Sequence, residues 1–137
     1  MIRVLVADDH RLVREGVQAL LKKAEDVEIV GEACDGKEAV DLTKRLHPDV
    51  LLIDLSMPGQ DGFQTLGLVQ SLALPTHVLV FSMWSDQDKV REALQAGAEG
   101  YVLKNWKRDE LVGGIRAVSR GEKYLSPSLA SEIAPDN

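Results

Sequence analysis

The sequence is poor in cysteine and has no long apolar run. Its single cysteine, Cys34, excludes an intrachain disulfide within these 137 residues, and a reducing cytoplasm is the expected compartment. Cys34 closes an apolar stretch at 29–34, so we expect it to be an inert packing residue. The N-terminal residues MIRVLVADDH soon reach two acids, which excludes a signal peptide or a membrane span there.

Basic charge and repetition are also lacking. The chain carries 16 Lys and Arg against 22 Asp and Glu, a net charge of −6, which argues against binding of nucleic acid by these residues alone. The acidic balance fits a protein that meets a cation or a basic partner. No internal repeat or low-complexity tract is evident, and the length fits one domain with one core.

Five short apolar runs alternate with segments of helical period. The runs are continuous, which is typical of parallel strands covered on both faces. The order predicts an α/β fold of five (βα) units, an open doubly wound sheet that binds ligands beyond the carboxyl ends of its strands. The predicted strands are 3–7, 27–33, 50–53, 77–81 and 101–103.

Polar residues follow four of these five runs. Asp8 and Asp9 follow the first run, Asp54 the third, Ser82 the fourth and Lys104 the fifth. Each alone is typical of a turn, a helix cap or a solvated charge. Because the carboxyl ends of parallel strands meet at one sheet edge, all five should face one crevice. Their coincidence therefore indicates a functional site.

The residue types in this crevice suit phosphoryl transfer. Crowded carboxylates repel one another, and Mg²⁺, which prefers oxygen ligands and bridges carboxylates to phosphate, would remove that conflict. Asp54 follows a buried run, so it is placed for in-line attack on phosphorus to give an aspartyl phosphate. The Lys104 ammonium would neutralise the equatorial oxygens, and the Ser82 hydroxyl could donate a hydrogen bond to one of them.

The loop after Asp54 is rich in turn-forming residues. The backbone carbonyl of Ser56 could complete the magnesium shell. Pro58 would stiffen the loop, while Gly59 and Gly62 permit a positive φ.

Four motifs occur together: VADDH at 6–10, DLSMPGQDG at 54–62, FS at 81–82 and GYVLK at 100–104. Over about residues 1–125 the chain thereby resembles response-regulator receiver domains of two-component signalling. The ending GEKYLSP at 121–127 resembles the NarL/FixJ branch, in which a helix-turn-helix DNA-binding domain usually follows the receiver. The implied fold is flavodoxin-like, with strand order 2-1-3-4-5.

The resemblance implies a role for each site residue. Asp54 would be the phosphoacceptor for a sensor histidine kinase, with Asp9 binding Mg²⁺ directly and Asp8 directly or through water. Ser82 and Tyr101 match a switch pair, in which the hydroxyl moves to the phosphate and the ring turns inward, and Lys104 contacts the phosphoryl group. The implied protein is regulatory and not an enzyme, since it catalyses only its own phosphorylation and dephosphorylation. Its output would be a changed surface for a homodimer or a linked domain.

Four positions depart from the usual receiver pattern. Ser82 stands where many receivers have Thr, but it keeps the hydroxyl. Met83 and Trp84 add bulk that could shield the acyl phosphate from water and slow its loss. Asn105 replaces the Pro that often follows the lysine, which leaves the geometry of the Lys104–Asn105 peptide bond open.

Three other kinds of protein could carry acids at these positions. A phosphohydrolase of the haloacid-dehalogenase type would need a second Asp where Ser56 stands. An FMN binder would need a hydroxyl- and glycine-rich loop where Asp8 and Asp9 would repel phosphate. A phosphorylation-independent pseudo-receiver remains the alternative. We expect a receiver at 1–121 and a linker or tail at 122–137, with a short helical turn near 128–133, leading to an output domain outside this chain. An excised receiver is favoured over a stand-alone one.

Overall fold

A computed structural model of the chain describes residues 1–57 and 61–130. Strands and helices alternate along the chain, as expected for a doubly wound α/β fold. The strands are β1 Ile2–Ala7, β2 Val27–Ala33, β3 Val50–Ile53, β4 His77–Ser82, β5 Gly100–Leu103 and β6 Tyr124–Leu125. The helices are α1 Arg11–Leu21, α2 Gly36–Leu46, α3 Gly62–Ser71, α4 Gln87–Gln95, α5 Arg108–Ser119 and α6 Pro127–Ala130. None of the helices described is long and apolar enough to cross a membrane.

The sheet is parallel, with strand order β2-β1-β3-β4-β5-β6. The predicted order of the first five strands is thus confirmed, and a sixth is added at the edge. The register aligns the last residues of the central strands, because Ala7 pairs with Ile53 and Ile53 with Val80. The residues that follow β1 and β3 therefore leave the sheet side by side.

Helices cover both faces of the sheet. On one face α1 and α5 pack on the strands through Val17 and Ile115, which are fully buried. On the other face α2, α3 and α4 contribute Ala39, Leu66 and Val90. Because helices cover both faces of the sheet, the alternate side chains of a central strand are buried on either face. This explains why the sequences of these strands are continuous apolar runs.

Local signals explain where α2 begins and ends. The Asp35 side chain accepts a hydrogen bond from Glu38 N at 2.8 Å, and the Glu38 carboxylate accepts one from Cys34 N at 2.9 Å. This reciprocal arrangement satisfies two donors at the helix start. The helix ends at Leu46, where His47 takes a left-handed conformation just before Pro48.

Three expectations about single residues are wrong. Cys34 is exposed, not packed, because it follows β2 at the edge of the sheet. Leu12 belongs to a set of apolar residues spaced three and four apart between 12 and 21, which predicts that it lies on the buried face of α1, but it is 80% exposed. Gly62 is not among the positive-φ glycines; it is needed because a Cβ there would lie 2.3 Å from the Leu55 carbonyl oxygen.

Residues 124–130 pack against the domain instead of leaving it after residue 121. Tyr124 N and Ser126 N donate to the carbonyls of Glu99 and Tyr101 at 3.1 and 2.9 Å. Leu129 is fully buried, and the short α6 overlaps the first residues of the helical turn expected near 128–133, whose positions 131–133 lie outside the described residues. Ordered packing therefore continues at least to α6, while the assignment of later residues as a linker remains a prediction.

Candidate functional site

The carboxyl ends of β1, β3 and β5 bring three charged side chains together. Backbone hydrogen bonds extend the strand ladders into the site, from Asp8 N to Ala33 O at 3.0 Å and from Asp54 N to Ala7 O at 2.9 Å. Lys104 N donates to Ser82 O at 2.8 Å. Because these positions are fixed by the sheet and not by loops, the predicted convergence of Asp8, Asp54 and Lys104 is observed.

Lys104 joins the two buried acids. Its Nζ lies 2.7 Å from Asp8 Oδ2 and 3.1 Å from Asp54 Oδ2, and all three side chains are nearly inaccessible to solvent. Hydrogen bonds between charged groups in such surroundings are stronger than those between neutral groups. The Lys104–Asn105 peptide bond is trans, since no cis bond occurs among the described residues.

The acid cluster fits a hard cation. Ligand-type atoms of Asp8, Asp9, His10 and Asp54 all lie within 4.8 Å of one another. Asp9 Oδ1 is buried, and within the described parts of the chain it accepts no hydrogen bond, although His10 Nδ1 is 3.1 Å away. An orphaned carboxylate oxygen beside two further carboxylates is the donor set that Mg²⁺ takes in proteins.

The loop after β3 contributes Ser56 in a way that the sequence did not indicate. Its hydroxyl lies 3.0 and 3.1 Å from the two carboxylate oxygens of Asp54, and its backbone N–H donates to Asp54 Oδ1 at 3.1 Å. These bonds orient the carboxylate. The part expected of the Ser56 carbonyl stays a prediction, and Pro58 and Gly59 lie outside the described residues.

The predicted switch pair lies beside the acids. Ser82 is buried, and its Oγ accepts a hydrogen bond from Trp84 N at 3.0 Å. Tyr101 is fully buried, with its hydroxyl donating to the Trp84 carbonyl at 2.7 Å. Burial raises the pKa of Tyr101 above its ordinary value; a hydrogen bond with Ser82 acts in the opposite sense, and the charges of Asp86 and Asp54 add to the rise.

The two bulky residues after Ser82 differ in their surroundings. Met83 is 80% exposed. Trp84 is partly buried against the core, and Lys89 Nζ lies 4.9 Å from its ring centroid, within the range of a cation–π contact. Trp84 is therefore held over the core near the site, whereas Met83 projects into solvent.

Sequence reasoning missed three residues that support the site. His10 N donates to Asp8 Oδ1 at 2.9 Å, and Arg14 donates to the Asp8 carbonyl at 2.7 Å. Trp106, in a left-handed conformation with φ 60°, packs edge-on to Phe81, over whose ring Lys104 Nζ lies at 5.8 Å. His10 was visible as part of the DDH motif, but no local pattern indicates the other two contacts.

A parallel sheet with acids and a lysine at its carboxyl edge defines the receiver class, and comparison with known families agrees. The model of the response regulator receiver domain matches residues 4–116, so the chain belongs to that family. Its relatives are two-component response regulators of the NarL and LiaR kind, which are regulatory proteins.

The similarity to individual proteins covers almost the whole chain. The transcriptional regulatory protein LiaR of Bacillus subtilis is 43% identical over 97% of this chain and 63% of its own length. The probable transcriptional regulatory protein NarL of Mycobacterium tuberculosis is 44% identical, over 97% of this chain and 62% of its own length. The chain thus spans less than two thirds of these curated relatives.

Solved structures agree with the fold. The signal receiver domain of the putative response regulator NarL from Mycobacterium tuberculosis has a TM-score of 0.84 and 45% identity, covering 88% of this chain and 98% of that one. The isolated receiver domain of RcsB from Salmonella enterica, solved with phosphomimetic BeF₃⁻, has a TM-score of 0.88 and 28% identity, covering 97% and 99%.

Proposed function

We propose that the chain is a phosphorylation-controlled switch in which Asp54 accepts a phosphoryl group from the phosphohistidine of a sensor histidine kinase. The observation that carries the proposal is the position of Lys104 Nζ between Asp8 and Asp54. A buried cation shared by two carboxylates offsets charge at the point where a phosphoryl group would add more.

In the proposed transfer, one carboxylate oxygen of Asp54 attacks phosphorus as the bond from phosphorus to the kinase imidazole nitrogen breaks. The electron pair of that bond stays on the imidazole. The Ser56 hydroxyl and N–H hold the Asp54 carboxylate, and Lys104 is within reach of the new phosphoryl oxygens. Asp8, Asp9, Asp54 and the Ser56 carbonyl would hold Mg²⁺, which supplies charge neutralisation between carboxylates and phosphate.

The proposed switch centres on the Ser82 hydroxyl. Tyr101 is fully buried, which supports a switch pair whose ring lies inward. In the proposed step Ser82 Oγ stops accepting from the Trp84 N–H and donates to a phosphoryl oxygen, which would free the backbone after β4. Phosphorylation then shifts the population of conformations instead of creating a new one.

The proposed output is transcriptional. LiaR and NarL are named as transcriptional regulatory proteins, and the chain spans about 60% of their length. We propose that this receiver controls a helix-turn-helix domain and that phosphorylation favours a homodimer. The acidic net charge of −6 supports contact with DNA through another domain and not through this one.

The test is phosphorylation by phosphoramidate, with and without Mg²⁺, followed by intact-mass and peptide mass spectrometry. One phosphoryl group should be added at Asp54 only when Mg²⁺ is present. Asp54→Asn should abolish the addition, whereas Asp86→Asn, which removes an exposed acid at the start of α4, should not. Failure of the wild-type chain to be modified would instead favour the pseudo-receiver reading.

A further inference from the structure

A second buried carboxylate lies at the start of α5, outside the acid cluster. Glu110 is only 7% exposed and accepts hydrogen bonds from four donors. Oε1 accepts from the Ser126 hydroxyl and from Ser128 N at 3.2 Å, and Oε2 accepts from Ser128 Oγ at 2.9 Å and Asn105 Nδ2 at 3.2 Å. We call these four residues, Asn105, Glu110, Ser126 and Ser128, the Glu110 cluster.

The role of Glu110 differs from that of an ordinary helix cap. A glutamate at this position in the first turn usually reaches back to the N–H of the capping residue. Here the capping residue is Lys107, and its N–H donates to Asn105 Oδ1 at 3.1 Å. Asn105 therefore accepts the bond from the N–H that a capping-box glutamate would otherwise bind, and the Glu110 carboxylate instead binds residues 16 and 18 positions further along the chain.

The Glu110 cluster is linked to the proposed phosphate site by the backbone. Asn105 directly follows Lys104, so its three side-chain hydrogen bonds, to Glu110, Ser128 and Lys107, fix the backbone from which the lysine extends. Ser126 is fully buried, and its N–H donates to the Tyr101 carbonyl at 2.9 Å. One carboxylate thus connects the surroundings of two proposed switch residues.

The cluster also fixes residues 124–129, which we call the β6 segment. Its strand pairs with β5, and Leu129 is buried in the same apolar cluster as Tyr101. Burial by itself raises the pKa of Glu110, but the hydrogen bonds from Ser126, Ser128 and Asn105 together outweigh it and hold that pKa below its ordinary value. The carboxylate is therefore charged at neutral pH, and its bonds to the segment are charge-assisted.

We infer that Glu110 is a positioning residue that couples Lys104 to the β6 segment. The inference rests on the proposed function, because the signal it transmits is the exchange of Lys104 partners when Asp54 is phosphorylated. By linkage, a contact that changes on phosphorylation must also influence phosphorylation when it is removed. Glu110 would then influence both the rate of phosphorylation at Asp54 and the order of the β6 segment.

The first experiment uses the unmodified chain and measures amide hydrogen exchange in peptides that cover the β6 segment. Glu110→Gln should speed exchange at Ser126 and Ser128 by about tenfold, as expected for losing charge-assisted bonds. The control is Asp109→Asn, which removes an exposed acid in the same helical turn and should leave exchange unchanged. Ser128→Ala provides a milder second variant, with a smaller effect in the same direction.

The second experiment measures phosphorylation by phosphoramidate with Mg²⁺. Glu110→Gln should lower the maximal rate several-fold and leave the phosphoramidate concentration for half-maximal rate unchanged, because Lys104 is misplaced while the pocket stays open. Phosphorylation of the wild-type chain should change exchange in the β6 segment, and this change should be lost in Glu110→Gln but kept in Asp109→Asn.

The outcomes separate the two proposals. If Glu110→Gln matches Asp109→Asn in exchange and in rate, the positioning role is wrong whatever happens at Asp54. If the β6 segment loosens in Glu110→Gln but phosphorylation is as fast as in the wild type, the coupling to Lys104 is likewise refuted. If the wild-type chain takes up no phosphoryl group at all, the proposed function fails and the inference that rests on it fails with it.

Discussion

The Trp106 ring rests on the bare backbone of Gly16. A Cβ built on Gly16 would lie 2.7 Å from Trp106 Cζ3, closer than real Cβ contacts allow, so a larger residue here would require the Trp106 ring to move. Trp106 also packs edge-on to Phe81 at 5.8 Å between ring centroids. The loop that carries Lys104 is therefore braced against α1.

Gly16→Ala should displace the Trp106 ring. The crowding costs about 1–3 kcal/mol, and the gain in helix propensity, about 1 kcal/mol, offsets it only in part. Urea unfolding should show a net loss of stability, and Trp106 emission, read in a Trp84→Phe background, should shift towards that of solvent-exposed indole. Gly67→Ala in α3 is the control, because a Cβ there meets nothing within 4 Å and should stabilise the chain. If both variants changed the stability and the Trp106 emission in the same way, the packing of Trp106 on Gly16 would be contradicted.

Mg²⁺ should stabilise the folded chain. A cation at 100 times its dissociation constant adds about 2.7 kcal/mol to the free energy of unfolding. Mg²⁺ should therefore raise the midpoint temperature of thermal unfolding in the wild type, but should change it little in Asp9→Asn. Asp86→Asn should respond like the wild type. A Mg²⁺ response that survives in Asp9→Asn would place the cation elsewhere.

Lys104→Met should destabilise the chain by about 3 kcal/mol without Mg²⁺, because two buried carboxylates lose their cation. Added Mg²⁺ should restore part of this loss by replacing the missing charge. Urea unfolding of both forms, with and without Mg²⁺, measures the effect. Lys23→Met, which removes an exposed lysine just after α1, is the comparison. A variant as stable as the wild type without Mg²⁺ would mean that the pair of acids needs no partner.

Trp84→Ala should speed the loss of the phosphoryl group from Asp54 several-fold, if the ring shields the acyl phosphate from water. Trp84 is partly buried near Ser82, whereas Met83 projects into solvent, so Met83→Ala should have the smaller effect. The decay of phosphorylated chain after removal of phosphoramidate gives the rate. An unchanged rate in Trp84→Ala would defeat the shielding hypothesis.

The two tyrosines should titrate only at high pH. Burial is the main cause that raises the pKa of both Tyr101 and Tyr124 above 10.0. Because folding raises both pKa values, the two tyrosines contribute to the free energy of unfolding. This contribution is complete below pH 10 and is lost as the pH rises through the pKa values of the folded state. Tyrosinate absorbance should therefore appear at higher pH in the folded chain than in urea, and Tyr124→Phe should leave one such transition. Ionisation at the same pH in both states would show that neither ring is protected.

Much of this arrangement could be predicted from local sequence. The runs at 27–33 and 50–53 match β2 and β3, and the wholly apolar run of β3 follows from its cover on both faces, since all four of its residues are buried. Asp8, Asp54 and Lys104 could be placed together since each directly follows such a run. Cys34 could not be placed, because an edge strand exposes residues that a central strand buries.

The contacts that sequence could not predict join distant parts of the chain. Gly16 and Trp106 are 90 positions apart, and Glu110 meets Ser126 only because β6 pairs with β5. A two-residue strand is too short to show a hydrophobic period, so residues 124–130 carried no sign that they would pack. Such contacts form only once the sheet has brought distant segments of the chain together.

The pairing of Ala7 with Ile53 has a further consequence for evolution of the site. The spacing between the carboxylates that follow these residues is a property of two hydrogen-bonded neighbouring strands, so insertions in the flanking loops leave it untouched. Those loops can therefore vary in length while the spacing of the acids stays constant, whereas a shift of either strand by one residue would point an acid into the core and dismantle the acid cluster.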